Sequence, residues 1–344
     1  MLMKAVAVTE KGKIEVVETP APDFGEYECL VRVHTGGICN STDIKIANDQ
    51  ISDMKVHYPI LIGHENAGEV IETGAKVRYY KPGDRVAGAG GKLAKNSKFN
   101  SMWAFLAQYA VMTDVRAQID DGAVPANTDP DDSGTKPIPD DMSYEDAIIL
   151  LTMKENYSAM KNFGVTKGTD VLIYGDGPVG FGLVSTHNVL DGGYVACIGH
   201  HADRLNRIAG IIKCGQVVNS SVDSVDDALA GRKFDLVIDA VGKTEIIKEG
   251  ARKLKPGGAV GLYGVLHTGA DGFNLLDMPN HTRLHMLNFP YKEHRTHDEI
   301  LGFVAAGKLN PKDYYSHVVP IDDAVRAFEL VRSREAYKVI LTMW

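Results

Sequence analysis

The feature that most limits the fold of this chain is a glycine-rich turn between a strand and a helix. The segment "DVLIYGDGPVGFGLVSTHNVL" places Gly175, Gly177 and Gly180 directly after an apolar strand. The first glycine permits a tight turn, the second lets backbone approach a pyrophosphate, and the third allows helix and strand to pack closely. The helix that begins at Pro178 and Val179 would then present free N–H groups to an anion. This setting favours a dinucleotide-binding loop over a turn without a ligand.

Short strands alternate with helical stretches in the second half of the chain, from about residue 143. The strands have the sequences "DVLIYG", "YVACIG", "QVVN", "FDLVIDAVG" and "GAVGLYGV". Such alternation predicts a parallel, doubly wound sheet, and hence an α/β protein. Residues 1–115 instead contain β-rich runs punctuated by glycine and proline, which predict a compact β-barrel or sandwich. A chain of 344 residues is long enough for both domains.

Two further segments have clear patterns. Residues 118–139 are acidic and rich in proline, glycine and serine, which predicts a solvated loop. Residues 143–164 start with serine and early acids, show an apolar helical period and end in glycine, which predicts one or two helices.

Composition and charge exclude several classes of protein. A formal charge of −8 argues against general nucleic-acid binding, because little would neutralise phosphates in bulk. Four cysteines against twelve histidines fit a cytoplasmic protein better than a disulfide scaffold. The first residues contain no signal-peptide core, and no segment is apolar for long enough to span a membrane.

The end of the second strand of the α/β domain bears on cofactor choice. NAD sites place an acidic residue there to hold the ribose 2′-hydroxyl. Here the strand ends in Gly199, followed by His200, His201 and then Arg204, with no carboxylate at the tip; Asp203 should point along the next helix. Room for a 2′-phosphate beside basic residues favours NADP(H) over NAD(H), although these residues also suit a solvated helix start. The predicted cofactor-binding residues are Gly175, Gly177, Pro178, Val179, Gly180, Gly199, His200, His201, Arg204, Val241 and Gly264.

A cysteine and a histidine in the β-rich half suggest a metal site. Cys39 lies in "GGICNSTD", just after a strand, and His64 and Glu65 lie in "YPILIGHENAGEVIETG". A lone cysteine or histidine is usually a packing residue. A thiolate and an imidazole from two loops of one β domain, ahead of a dinucleotide domain, suit Zn²⁺. A catalytic zinc takes three protein ligands and leaves a fourth position open.

These motifs together resemble a known family. "GGICNSTD", "GHENAGEVIETGAKVRYYKPGDRVAG" and "GDGPVG" occur in the order and spacing of the zinc-containing medium-chain dehydrogenase/reductase family of alcohol and polyol dehydrogenases. The resemblance extends over nearly the whole chain, including the later "KPGG" and "GLYG". It implies a GroES-like catalytic domain at residues 1–145, completed by residues 290–344, and a Rossmann domain at residues 146–289.

The resemblance also implies roles for single residues. Cys39 and His64 resemble zinc ligands, and Glu65 resembles the acid that touches the metal or holds its water. Ser41 resembles the hydroxyl that passes the substrate proton towards solvent, with Thr42 as the alternative. Asp43 resembles the acid that orients the metal-binding histidine.

The chain departs from the family pattern at the third ligand. The family places a Cys, Asp or Glu on the helix before the Rossmann domain, where this chain has Leu150 or Leu151. Glu155, one helical turn after Leu151, is the predicted substitute. Alternatively, Glu65 completes the site and Glu155 pairs with Lys154 or a substrate hydroxyl. Because no cluster of four cysteines follows "GDRV", we expect one zinc ion and no structural zinc.

The implied reaction is hydride transfer between NADP(H) and a secondary alcohol or ketone, with zinc as Lewis acid. A carboxylate ligand resembles the polyol and sugar branch of the family. Trp103 and Phe105 lie near the usual substrate wall, or pack in the core. The alternatives are a zinc-free quinone or enone reductase of the same fold and a catalytically silent NADPH-binding protein. The family resemblance also implies a homodimer or homotetramer.

Overall fold

The chain folds into two compact units. The computed structural model describes residues 1–51, 55–131, 134–266, 278–287 and 291–344. One unit comprises Met1–Leu151 and Pro311–Trp344, and the other comprises Thr152–Asn310. The family resemblance predicted boundaries near residues 145 and 290, and residue 290 lies outside the described residues. The chain stays in the second unit as far as Asn310 because the segment before it is bound there. The Ser158 hydroxyl donates to the carbonyl of Tyr291.

The first unit is a set of mostly antiparallel strands with short helices, in which only the pairs β4–β7 and β16–β17 of the described strands are parallel. One sheet has the order β2-β1-β4-β7, and a second has the order β16-β17-β3-β5-β6-β9, with β8 paired to β3. Its elements are β1 (Leu2–Glu10), β2 (Lys13–Pro20), β3 (Glu28–Ile38), α1 (Thr42–Ala47), β4 (Ile60–Leu61), β5 (Asn66–Thr73), β6 (Arg85–Ala87), β7 (Asn100–Ser101), β8 (Tyr109–Thr113), α2 (Val115–Asp120), β9 (Lys136–Pro137), β16 (His317–Pro320), α9 (Ala324–Arg332) and β17 (Val339–Thr342).

Strand β3 is central to this unit because it pairs with β5, β8 and β17, in each case antiparallel. Val31 and Val33 are fully buried, while Arg32 between them is exposed. This alternation is expected of a strand with one face on the core. The carboxyl end of β3 is apolar and buried, and it leads directly to Cys39.

The second unit contains a six-stranded sheet of order β12-β11-β10-β13-β14-β15, with every neighbouring pair parallel. The predicted α/β class and doubly wound sheet are thereby confirmed. All four residues of β10 are buried, as expected where helices cover both faces. The elements here are β10 (Val171–Tyr174), α4 (Pro178–Val189), β11 (Val195–Gly199), α5 (Ala202–Ala209), β12 (Gly215–Asn219), α6 (Val225–Leu229), β13 (Phe234–Asp239), α7 (Thr244–Ala251), β14 (Leu254–Leu262), β15 (Arg283–Met286) and α8 (His297–Ala305).

The chain first passes from one unit to the other within one helix, α3 (Tyr144–Asn162), where the sequence allowed one or two helices. The predicted loop 118–139 consists mostly of turns, but it includes the end of α2 and all of β9, and residues 132–133 lie outside the described residues. Among the helices of the described ranges, none combines the length and apolarity needed to cross a membrane.

Candidate functional site

Cys39 lies in the short link between β3, which ends at Ile38, and α1, which begins at Thr42. The backbone N–H of Cys39 donates to Asp43 Oδ2 at 2.8 Å, and the N–H of Thr42 lies 3.4 Å from Cys39 Sγ. Gly37 lets the strand approach Glu65, because a Cβ there would lie 2.4 Å from Glu65 Oε2. These contacts fix the thiol at the end of the strand.

His64 and Glu65 lie in the turn between β4 and β5. The preceding Gly63 has a φ of +101°, and a Cβ there would meet Leu106 Cγ at 2.3 Å, so this turn requires glycine. His64 Nδ1 lies 3.3 Å from Asp43 Oδ1, and His64 Nε2 lies 3.8 Å from Glu65 Oε1. Because the Asp43 carboxylate faces Nδ1, Nε2 is the ring nitrogen available to a ligand.

The ligand atoms of Cys39, His64 and Glu65 all lie within 4.8 Å of one another. Three polar atoms here, Asp43 Oδ1, His64 Nδ1 and Glu65 Oε2, are buried without a well-aligned hydrogen bond to any described group. Thiolate sulfur, imidazole nitrogen and carboxylate oxygen are all ligands that Zn²⁺ accepts. The residues present therefore fit a zinc ion.

The electrostatics of this cluster favour a thiolate at Cys39 paired with a charged His64 imidazole, whose Nε2 proton a bound metal ion would replace. Burial of His64 disfavours its charged form, but the Asp43 carboxylate and the Cys39 sulfur outweigh burial and raise the pKa of the imidazole well above its usual value. Burial of Cys39 opposes ionisation, yet its hydrogen bond with His64 prevails and lowers the pKa of the thiol. A thiolate is the form of cysteine that binds metal.

A lysine that the sequence analysis missed completes the cluster. Lys338, just before β17, places Nζ 2.8 Å from Glu65 Oε1, with which it forms a hydrogen bond. Nζ also lies 2.6 Å from Oε2, in a contact that lacks hydrogen-bond alignment. Burial opposes the charge on Lys338, but Glu65 and Cys39 outweigh it and raise the pKa of the ammonium. The two partners are 273 positions apart, so no local sequence signal links them.

The proton-relay candidates and the third-ligand candidate lie in different units. Ser41 is exposed and immediately precedes α1, whereas Thr42 is the first residue of α1 and is partly buried. Glu155 lies in the part of α3 that belongs to the second unit, and it is partly buried. The roles of all three stay predictions.

Trp103 lies next to the cluster, and its role in a substrate wall stays a prediction. Its ring makes an edge contact with His64 at 5.7 Å between centroids. Its backbone has a φ of 62°, an uncommon conformation for a bulky residue. Phe105 follows, and its N–H donates to the carbonyl of Gly63 at 3.0 Å, on the turn that carries His64.

The glycine-rich loop of the second unit has the geometry of a phosphate cradle. Gly175 has a φ of +133°, and a Cβ on Gly180 would lie 1.8 Å from the carbonyl oxygen of Gly175. A Cβ on Gly177 would instead meet nothing within 4 Å, which leaves open space beside the backbone. Pro178 and Val179 then begin the 12-residue helix α4. This backbone fits a pyrophosphate at a helix N-terminus.

The prediction that no carboxylate lies at the end of β11 is wrong. Asp176, from the glycine-rich loop, accepts through Oδ2 from the N–H of His200 at 2.7 Å and of His201 at 2.8 Å. The same oxygen lies 2.9 Å from Nδ1 of His201. The prediction rested only on the residues that follow β11, and this acid comes from the turn after β10. An acidic residue between the first two glycines is the signal that could have revealed it.

The other predicted cofactor residues lie at or near carboxyl ends of strands. His200 is exposed, and its Nδ1 lies 2.9 Å from Ser220 Oγ. Arg204 lies in α5 and is partly buried. Val241 follows β13, and a Cβ on Gly264, after β14, would lie 2.2 Å from the nitrogen of Gly242. These positions suit a ligand at the carboxyl edge of a parallel sheet.

Comparison with known proteins agrees with this geometry. Residues 25–118 match the alcohol dehydrogenase GroES-like domain, and residues 212–341 match the zinc-binding dehydrogenase domain. Sorbitol dehydrogenase of Gallus gallus is 25% identical over 342 residues, which cover 98% of this chain and 95% of that protein. The chain belongs to the zinc-containing medium-chain dehydrogenase/reductase family. The family makes it an oxidoreductase of the alcohol and polyol class.

Two solved structures show the fold of this family with different cofactors. A protein from E. coli CFT073, described as a short chain alcohol dehydrogenase complexed with NADH, is 20% identical, with a TM-score of 0.78. A zinc-binding dehydrogenase from Sinorhizobium meliloti 1021, bound to NADP, is 21% identical, with a TM-score of 0.76. Each comparison covers 99% of both chains. The family fold alone therefore does not decide between the two cofactors.

Proposed function

We propose that this protein is a zinc-dependent dehydrogenase that transfers hydride between NADP(H) and a secondary alcohol or ketone, with a sugar or polyol as substrate. The observation that carries the proposal is the cluster of Cys39, His64 and Glu65, whose ligand atoms lie within 4.8 Å of one another. A zinc-free quinone or enone reductase would have no need of this donor set.

The protein's own residues would hold and orient the reacting groups. A bound zinc ion supplies Lewis acidity that lowers the pKa of an alcohol. Asp43 fixes the ring of His64 through Nδ1, 3.3 Å away, and the Lys338 ammonium pairs with the buried Glu65 carboxylate. A hydroxyl at Ser41 or Thr42 would carry the substrate proton towards solvent, and the exposure of Ser41 supports that role.

The NADP(H) preference rests on the end of β11. Gly199 carries no acidic side chain, His200 is exposed there, and Arg204 lies one turn along α5. Basic groups near a ribose favour a 2′-phosphate. The sugar or polyol substrate is supported by the sorbitol dehydrogenase relative and by the carboxylate in the donor set.

The test combines metal analysis with turnover. Protein purified without chelator should contain one zinc ion per chain by mass spectrometry, and should turn over ketoses or polyols with NADP(H) faster than with NAD(H). Cys39→Ala should remove both the metal and turnover, yet keep NADPH binding. Cys214→Ala, at an exposed cysteine, is the matched control and should keep all three.

Two outcomes would contradict this function. Full turnover by Cys39→Ala would favour the zinc-free reductase, and NADPH binding without turnover of any substrate would favour a silent binding protein.

A homodimer or homotetramer is the assembly that we propose. Strand β15 lies at the edge of the parallel sheet, and its Leu284 and Met286 are 41% and 60% exposed. An edge strand with exposed apolar side chains supports association of copies.

A further inference from the structure

The space above Gly199 at the end of β11 is filled by another part of the chain. A Cβ on residue 199 would lie 2.4 Å from Asp176 Cβ and 2.5 Å from Asp176 Oδ2. A larger residue at 199 would therefore displace Asp176. The glycine makes room for this carboxylate, and the absence of a side chain at 199 does not by itself leave a vacant pocket for a phosphate.

The Asp176 carboxylate is held in one orientation with a negative charge. Its Oδ2 accepts hydrogen bonds from the backbone N–H groups of His200 and His201 and also lies 2.9 Å from Nδ1 of the His201 ring. Burial opposes ionisation, but the hydrogen bonds from His201 and His200 outweigh it and lower the pKa of the carboxyl. Asp176 is 7% exposed, and the three contacts above all involve Oδ2. Oδ1 takes no part in them, so it is the oxygen that would accept from a ligand at the strand end.

We infer that Asp176 is the residue that recognises the group at the 2′ position of the cofactor ribose, a hydroxyl in NAD(H) and a phosphate in NADP(H). In Rossmann folds an acid at the end of the second strand accepts from the ribose 2′-hydroxyl. Here the acid comes from the glycine-rich loop and lies at the same strand end. It accepts from the 2′-hydroxyl of NAD(H) and repels the 2′-phosphate of NADP(H), while His200 and Arg204 attract that phosphate. Asp176 therefore lowers the ratio of NADP(H) affinity to NAD(H) affinity. As a result, the protein accepts both cofactors.

This inference rests on the dinucleotide site of the proposed function, but its test needs neither zinc nor an alcohol. The probes are 2′,5′-ADP and 5′-AMP, which differ by the 2′-phosphate, and calorimetry gives both dissociation constants for the full chain. Asp176→Asn removes the charge and keeps an oxygen that can accept the two N–H groups. We expect the ratio of 2′,5′-ADP affinity to 5′-AMP affinity to rise about tenfold, because a like charge is removed.

Asp203→Asn is the matched control. Asp203 is exposed in the first turn of α5, so the same change removes one charge close by without touching the strand end. Its affinity ratio should change less than about twofold, since an exposed charge is screened by salt. Equal changes in the two variants would show a general charge effect and would overturn the inference, as would an unchanged ratio in Asp176→Asn.

Two further measurements keep the test decisive. Asp176→Ser removes the charge by a second route, so the ratio is judged in whichever variant keeps the wild-type thermal transition. A failure of both to fold would make Asp176 a structural residue and contradict the inference. A wild-type chain that binds neither probe would contradict the dinucleotide site as well. Normal probe binding without metal-dependent turnover would contradict the proposed function alone.

Discussion

Glu65 and Lys338 form an ion pair that is almost completely removed from water. Their side chains are 4% and 5% exposed, and Nζ lies 2.6 Å from Oε2. A buried pair of this kind gains little over an apolar pair, but loss of one partner leaves an uncompensated charge in the interior. Retention of the two charges is therefore better explained by the cluster around Cys39 and His64 than by stability.

Replacement of Lys338 should show that losing one partner of this buried pair costs far more stability than losing both charges. In metal-free protein, Lys338→Met should lower the free energy of unfolding of the first unit by about 3–5 kcal/mol, because the buried Glu65 loses the cation that donates a hydrogen bond to it. The double variant Lys338→Met with Glu65→Gln should recover much of the loss. Urea unfolding followed by tryptophan fluorescence reports on this unit, because both tryptophans, Trp103 and Trp344, lie in it.

The control for this change is an exposed ion pair. Lys4 lies 2.6 Å from Asp322, but the two side chains are 40% and 63% exposed. Lys4→Met should cost no more than about 1 kcal/mol. Similar losses for Lys4→Met and Lys338→Met would contradict the assignment of Lys338 to a buried pair.

At the scale of single residues, the sequence indicated the site side chains that belong to a short motif. It did not indicate side chains that reach the site only through tertiary structure. Cys39, Asp43, His64 and Glu65 belong to two short motifs, and the structure brings them together. Lys338 is 273 positions from Glu65, so only the pairing of β17 with β3 reveals it. Asp176 lies inside the glycine-rich motif after β10, but its hydrogen-bond partners lie at the end of a different strand, β11.

At the scale of elements, the turn from β10 into α4 has two glycines with different requirements. Gly180 packs against Gly175, whose carbonyl oxygen would lie 1.8 Å from a Cβ on residue 180. Gly177 has a φ of −81° and faces open space, so any residue could adopt its backbone. The third glycine of the motif therefore serves packing, and the second serves the ligand.

Alanine substitutions should separate these two roles. Gly180→Ala should destabilise the second unit by about 3 kcal/mol or more, because helix and strand must move apart. Gly177→Ala should change stability by less than about 1 kcal/mol, yet weaken NADP⁺ binding at least about tenfold, because the methyl group enters the pyrophosphate space. Thermal unfolding and a fluorescence binding titration measure the two effects. A folded Gly177→Ala protein with unchanged affinity would contradict this placement of the pyrophosphate.

Strongly periodic elements could be predicted, whereas short elements could not. The strands of the second unit and helix α3 followed from apolar patterns and end signals. Helix α1 has only six residues, and its sequence carries two isoleucines, which do not favour a helix. It forms because Ile46 and Ala47 are fully buried in the core, a tertiary effect that no local pattern contains.

At the scale of the whole molecule, the chain leaves the first unit near residue 151 and returns to it near residue 311. The return supplies β17, which lies between β16 and β3 as an inner strand. The family resemblance placed the return at residue 290, whereas the second unit extends to Asn310, because no local pattern assigns α8 to either unit. That assignment depends on contacts such as the hydrogen bond from Tyr157 to Glu299, 142 positions apart.

Removal of residues 339–344 should therefore unfold the first unit and leave the second folded. Val339, Ile340 and Leu341 are fully buried, and burial of each contributes about 1.5–3 kcal/mol. Their sum is comparable to the whole stability of a typical domain, about 5–15 kcal/mol. In hydrogen exchange, amides of β3 and β5 should lose protection, while those of β10 and β11 should keep it. The sheet of the second unit contains no strand from the deleted segment.

Deletion of Trp344 alone is the control for this truncation. Trp344 donates from Nε1 to the carbonyl of Val33 at 2.8 Å, but it lies beyond β17 and is 53% exposed. Protection in β3 should therefore survive its loss. If the longer deletion removed protection from β10 as well, the two units would unfold together, and the second would depend on the first for its stability. If β3 stayed protected, β17 would be dispensable, contrary to its place inside the sheet.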